Sequence, residues 1–144
     1  MSAPVVFRTT RRAGFSELDP FDHLGTGHYA SWFVDHRMHG LQDHLGWDAP
    51  TLSRLGFLTW VRRLEIDFRR PVLAGQEVVM TSQVREFRGP DAVVDCAMAA
   101  ADGRLLASCV MTVAHVDVTT RRATDWPPEH AAVFFEAAVP VSAE

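Results

Sequence analysis

The sequence predicts an α+β domain, a curved antiparallel sheet of about five strands wrapped around one long central helix. Three observations carry this expectation. Apolar residues return at helical spacing from about Gly27 to Leu45, they alternate strictly with polar ones around Leu64, and "DG" at Asp102-Gly103 separates two strand-like runs.

In chain order, Val5 to Phe15 mixes β-branched and aromatic residues with Arg and Thr and reads as a first strand ending near Gly14. In the helix, Tyr29 and Phe33 are four apart, and Val34, Met38, Leu41 and Leu45 follow at spacings of four, three and four, with Gly46 as the stop. A turn-rich stretch comes next. Leu58, Trp60, Leu64, Ile66 and Phe68 then alternate with Val61, Arg63, Glu65 and Asp67, the period of a strand with one buried face, and Pro71 ends it. Arg62 falls in phase with Leu64, Ile66 and Phe68, an unusual place for a charge.

Gln76 to Phe87 forms a further strand, followed by the hairpin strands Ala92 to Ala101 and Arg104 to Val118. A two-residue turn at Asp102-Gly103 sets Val94 opposite Met111, Cys96 opposite Cys109 and Met98 opposite Ala107. On the other face it sets Val93 opposite Thr112, Asp95 opposite Val110 and Ala99 opposite Leu106. Both faces are largely apolar and need cover. The chain offers the long helix and a short C-terminal helix around Glu129 to Ala138, so a partner subunit is expected over the remainder.

The 144 residues fit a single domain, and 47% hydrophobic with 22% charged residues is the balance of a globular protein. A formal charge of −4 without a dense Lys/Arg stripe argues against nucleic acid. No apolar run reaches the roughly 18–20 residues that span a bilayer, and the N-terminus lacks a signal-peptide pattern, so no membrane partner and a cytoplasmic location are expected. Two cysteines are too few for a disulfide scaffold or a Cys-based zinc site, and Cys96 and Cys109 are expected as buried thiols.

The stretch "DPFDHLGTGHY", Asp19 to Tyr29, admits three readings. Asp19 and Asp22 serve as turn residues and Thr26 caps the helix. In a second reading, His23, His28, His36 and His39 with Asp22 or Asp35 bind a divalent ion, but no HExxH pattern supports it, and the later histidines are expected to face solvent or to be capped by nearby Asp35 and Asp43. In the third, a carboxylate stands across from a glycine-rich helix start whose free N–H groups stabilise an oxygen gaining negative charge in acyl transfer. Gly25 and Gly27 then let backbone approach a substrate carbonyl, and Asp19 attacks it or draws a proton from water. There is no GxSxG.

"ELDPFDHLGTGHYASWF" resembles the corresponding segment of hotdog-fold acyl-CoA thioesterases of the 4-hydroxybenzoyl-CoA thioesterase type, with Asp19, His23 and Tyr29 at the family's spacing. "VRRLEIDFRRPVLAGQEV" and "GRLLASCVMTVAHVDVTTRRATDWP" extend the resemblance over roughly residues 5 to 128. It implies a hotdog homodimer or homotetramer in which Asp19 is the catalytic carboxylate, as nucleophile or general base. The N–H near Thr26 polarises the thioester carbonyl, and His23 positions Asp19 or water. Gly25, Gly27, Tyr29 and Arg62 contact substrate, Arg62 through a substrate carboxylate or CoA phosphate. The substrate is an acyl-CoA or an acyl group on a carrier protein, with no metal or organic cofactor. Many relatives carry an Asn pair where this chain has Gly25-Thr26. A non-catalytic hotdog domain that binds acyl thioesters or serves assembly is the alternative, and hydratase chemistry fits the Asp22-His23 pair poorly.

Overall fold

The helical spacing produces a 17-residue helix, α1 (Tyr29–Leu45), entered through a 3-10 turn over Thr26–His28 and stopped by Gly46 in a left-handed conformation (φ 68°). The computed structural model describes residues 3–136. Its strands are β1 (Phe7–Arg11), β2 (Phe57–Phe68), β3 (Val78–Arg88), β4 (Asp91–Ala100) and β5 (Leu105–Asp117). They form one antiparallel sheet in the order β1-β3-β4-β5-β2. Val94, Met98, Met111 and Val113 on its inner face pack in one core with Trp32 and Phe33 of α1. The chain therefore has the expected hotdog architecture, one long helix held against a five-stranded sheet.

The hairpin pairs Val94 with Met111, Cys96 with Cys109 and Met98 with Ala107 as expected, whereas Ala99 meets Leu105 rather than Leu106. The loop is three residues long. Ala100 N–H bonds the Arg104 carbonyl at 2.8 Å, Gly103 takes a φ of 92°, and a bulge absorbs the extra residue. Cys96 and Cys109 are free, buried thiols.

A second bulge changes the reading of β2. The register passes from Val61 opposite Val113 to Arg63 opposite Thr112, so Arg62 is the inserted residue. Side-chain parity reverses there. Phe57 and Val61 face the core together with Leu64 and Ile66, while Trp60 points outward and is 63% exposed. The outer face is also less apolar than expected, because ion pairs Arg62–Asp91 (3.1 Å), Arg63–Glu65 (3.5 Å) and Arg85–Asp95 are set among its valines.

A short helix, α2 (Ala49–Leu55), occupies the stretch expected to be only turns. Asp48 caps it by accepting from Thr51 N–H at 2.9 Å, and Gly56 (φ 89°) ends it. At the C-terminus α3 (Pro128–Ala131) passes into a 3-10 turn, Ala132–Phe134, a shorter helix than expected; positions 137 and 138 lie outside the described residues.

The buried stripe of α1 includes three residues that hydrophobic periodicity does not select, His36, Arg37 and Gly40. A Cβ on Gly40 would overlap the Phe7 ring, so the missing side chain lets β1 lie close to the helix. His36, expected at the surface, is 3% exposed and joins Thr9 Oγ1 (2.7 Å) to Ser82 Oγ (2.9 Å). The Arg37 guanidinium donates to the same Ser82 oxygen at 3.1 Å and lies 4.3 Å above the Phe7 ring. Burial pushes His36 down to about 4 and Arg37 down to about 10.

His36 is therefore neutral in the folded chain and takes a proton on unfolding below its ordinary value of 6.5. Its contribution is full above pH 6.5 and is lost as pH falls toward 4, by up to roughly 3 kcal/mol. Urea midpoints between pH 7.5 and 4.5 should fall more steeply for wild type than for His36→Gln. His115, also held down by burial and by His130, leaves the variant a shallower slope. Parallel curves would refute this.

Candidate active site

Asp-Pro is a strong break, and here it builds a tight turn between the first strand and the helix. Asp22 N–H bonds the Asp19 carbonyl at 3.0 Å with Pro20 in between, and Asp22 takes a left-handed φ of 60°. Asp19 Oδ1 accepts from Phe21 N–H (2.9 Å) and His23 N–H (3.0 Å), while Asp19 N–H bonds the His23 carbonyl at 2.7 Å. No described donor bonds Asp19 Oδ2. The returning chain is anchored by Leu24 N–H on the Val72 carbonyl (2.8 Å) and Ala74 N–H on the Asp22 carbonyl (2.9 Å).

This turn forms one wall of an open cleft of about 310 Å³. Asp19, His23, Thr26 and Tyr29 line it together, opposite Phe68, Arg69 and Arg70 from the end of β2. Thr26 and Gly27 begin the helical segment, and among the described residues nothing accepts their backbone N–H groups. Gly25 is tightly enclosed: a Cβ there would stand 3.3 Å from His28 Cδ2 and 3.4 Å from the Glu17 carbonyl. Gly27 faces open space.

Tyr29 is buried at the floor, its Oη accepting from Val72 N–H at 3.4 Å and its ring edge-on to Phe68 with centroids 4.8 Å apart. Burial, reinforced by the Asp19 charge, outweighs the Val72 bond and pushes its phenol up, so it is neutral at physiological pH. Arg62 does not join this group. It sits on the β2 bulge, paired with Asp91, and does not line the cleft.

Glu17 is the organising residue that sequence reasoning missed. Its Oε1 accepts from Gly14 N–H (2.9 Å), and its Oε2 from Trp32 Nε1–H (2.9 Å) and Arg11 Nη2 (3.2 Å). Its carbonyl takes Gly25 N–H at 2.8 Å. Burial works to raise the Glu17 carboxyl, but these donors and the Arg11 charge win and hold it below the ordinary carboxylate value. The one signal for it was an acid two residues before Asp19. Arg69 and Arg70 had a plainer signal, adjacent arginines just before a proline.

One open cleft on this hotdog scaffold is thus lined by a carboxylate and by the start of the long helical segment. The sequence profile of the thioesterase-like superfamily matches residues 13–134, and the chain belongs to that family. It is similar to the long-chain acyl-CoA thioesterase FadM of Escherichia coli, 22% identical over 107 residues, spanning 74% of this chain and 80% of that protein. Two solved structures share the fold. A Staphylococcus aureus protein crystallised with CoA has a TM-score of 0.81 at 13% identity, over 99% of this chain and 93% of its own. A 1,4-dihydroxy-2-naphthoyl-CoA thioesterase from Synechocystis has a TM-score of 0.78 at 14% identity, over 90% and 96%. The protein is thus a hotdog thioesterase.

Glu17→Ala strands the Trp32 Nε1–H, in a residue 0% exposed, and should cost about 1–3 kcal/mol in urea unfolding. Glu17→Gln keeps an acceptor and should cost less. Equal losses in the two variants would show that the charge, and not the acceptor, matters.

Proposed function

We propose that the cleft hydrolyses acyl-CoA thioesters, releasing a free acid and CoA thiol, with Asp19 as the acting carboxylate. The observation that carries this reading is the sharing of one cleft by Asp19 and Thr26, whose backbone N–H has no acceptor among the described residues. Asp19 Oδ2 either attacks the thioester carbon or takes a proton from a water that does so. Negative charge gathers on the carbonyl oxygen, where the helix-start N–H groups meet it. Collapse breaks the C–S bond and expels the thiolate, which takes up a proton. In the nucleophilic route, water then cleaves the mixed anhydride formed with Asp19.

His23 supports the carboxylate through its backbone N–H and lines the same cleft. Gly25 lets the chain pass between His28 and Glu17, which brings the next N–H groups to the cleft. Tyr29 supplies the apolar floor with Phe68. Carrier-protein thioesters contain the same reacting bond and belong in the same assay.

Thiol release from short, medium, long and aryl acyl-CoA thioesters tests this. Asp19→Asn keeps an oxygen for the Phe21 and His23 N–H groups, so it should fold normally while turnover drops by about 100- to 10,000-fold. Turnover near wild type would reject Asp19.

We also infer that the outer face of the sheet, with Trp60 63% exposed among ion pairs, meets a second copy of the chain. Sedimentation at micromolar concentration should give a dimer or tetramer, weakened by Trp60→Glu. A wild-type monomer would overturn this inference.

A further inference from the structure

Arg37 carries a charge that the described fold does not neutralise. It is 2% exposed, and among the described residues no carboxylate stands within ion-pair distance of it. Of its N–H donors, only Nη1 has a described acceptor, the Ser82 oxygen at 3.1 Å. The rings of Phe7 and Phe134, 4.3 and 5.4 Å from Cζ, offset part of the cost of burying it. A buried guanidinium without a counter-charge is expensive all the same. A second buried donor lies close by. Trp126 is 8% exposed, its Nε1–H has no partner among the described residues, and its ring stands 5.8 Å from that of Phe134.

Arg37, Trp126 and Phe134 line one small cavity between the long helix and the sheet, walled mainly by apolar residues such as Leu41, Val94 and Val113. The centre of a water-sized body has about 10 Å³ to occupy there, room for a single occupant. No described carboxylate lines the cavity, and its one hydroxyl, on Thr59, gives its proton to Met38 Sδ at 3.9 Å. A water in this place would accept from both donors, yet among the lining side chains it would find only the Thr59 oxygen for its own protons. An anion has no protons to place. We propose that this cavity is a binding site for a monatomic halide anion, chloride in its physiological form, held by the Arg37 guanidinium and the Trp126 indole N–H. The bound ion neutralises Arg37 and ties the segment carrying Trp126 to the middle of α1. The cavity shares no lining residue with the Asp19 cleft, so the site stands or falls apart from the hydrolytic reading.

Thermal unfolding in sodium chloride and in sodium gluconate at matched ionic strength tests the assignment, because gluconate screens charge equally but is too large for the cavity. The melting temperature of wild type should rise and saturate with chloride, without a matching rise in gluconate. Trp126→Phe keeps an aromatic ring and loses the N–H, so the chloride dissociation constant taken from that rise should weaken at least about tenfold. Arg37→Met should abolish the rise. Wild-type crystals soaked in bromide should show an anomalous-scattering peak within hydrogen-bond reach of Trp126 Nε1, weaker in crystals of Trp126→Phe. A rise of equal size in both salts, a rise that does not saturate, a chloride response undiminished in Trp126→Phe, or the absence of bromide from the cavity would overturn the proposal.

Discussion

Where the long helix begins depends on Glu17. Its carboxylate gathers the Gly14 amide, the Trp32 indole and the Arg11 guanidinium, and its carbonyl holds the Gly25 amide. One residue thus pins the end of the first strand, the connecting turn and the first turns of the helix. Bonds to an ionised acceptor are stronger than neutral ones, and two of these three donors are neutral groups whose alternative is burial or water. Once the Gly25 N–H is spent on Glu17, Thr26 and Gly27 are the next amides in line, and Thr26 lines the cleft. The free helix start is therefore a consequence of where Glu17 ties the chain.

The middle of the helix is held by a different device. His36 and Arg37 lie in the buried stripe, where an apolar pair would pack at less desolvation cost. Thr9 from one strand and Ser82 from the next offset that cost only when the helix sits at one height and one rotation. A shift by one residue would leave several buried polar groups unpaired, which costs more than an apolar slip would. Gly40 acts in the same direction, because the Phe7 ring fits only over a position without a side chain. The polar seam fixes the register of helix on sheet, and through it the position of the helix start.

Local patterns exposed much of this in the sequence. The span of the long helix and the pairing of Val94, Cys96 and Met98 across the hairpin were legible because spacing and turn chemistry are local. The reversal of parity at Arg62 was not, since an inserted residue leaves the alternation on each side intact and only the partner strand reveals it. His36 read as a surface residue, and Arg37 drew no reading, because the groups that satisfy them come from strands far away in sequence. The short helix at Ala49–Leu55 left signals that were missed, an Asp cap, an early proline and a closing glycine. In the site, Asp19, Thr26 and Tyr29 were visible through their order, whereas Glu17 acts through contacts that no spacing announces. Arg69 and Arg70 are set at the cleft by the Leu106 carbonyl, which holds their backbone from far along the chain.

Of the three readings of "DPFDHLGTGHY", two are an ordinary turn and a chemical group, and the structure shows why residue types alone do not separate these two. Asp19 is a turn residue: Oδ1 takes the two N–H groups that a turn of this kind leaves unpaired. The same carboxylate lines the cleft, with Oδ2 free of any described donor. A side chain held by two backbone bonds has already lost its rotamer freedom during folding, so no further ordering is required when a reactant arrives. The turn that looks purely structural is what makes the carboxylate rigid, and rigidity is what a group acting on a passing carbonyl needs. The structural use of Asp19 and the chemical use proposed for it are therefore one arrangement, divided between its two oxygens.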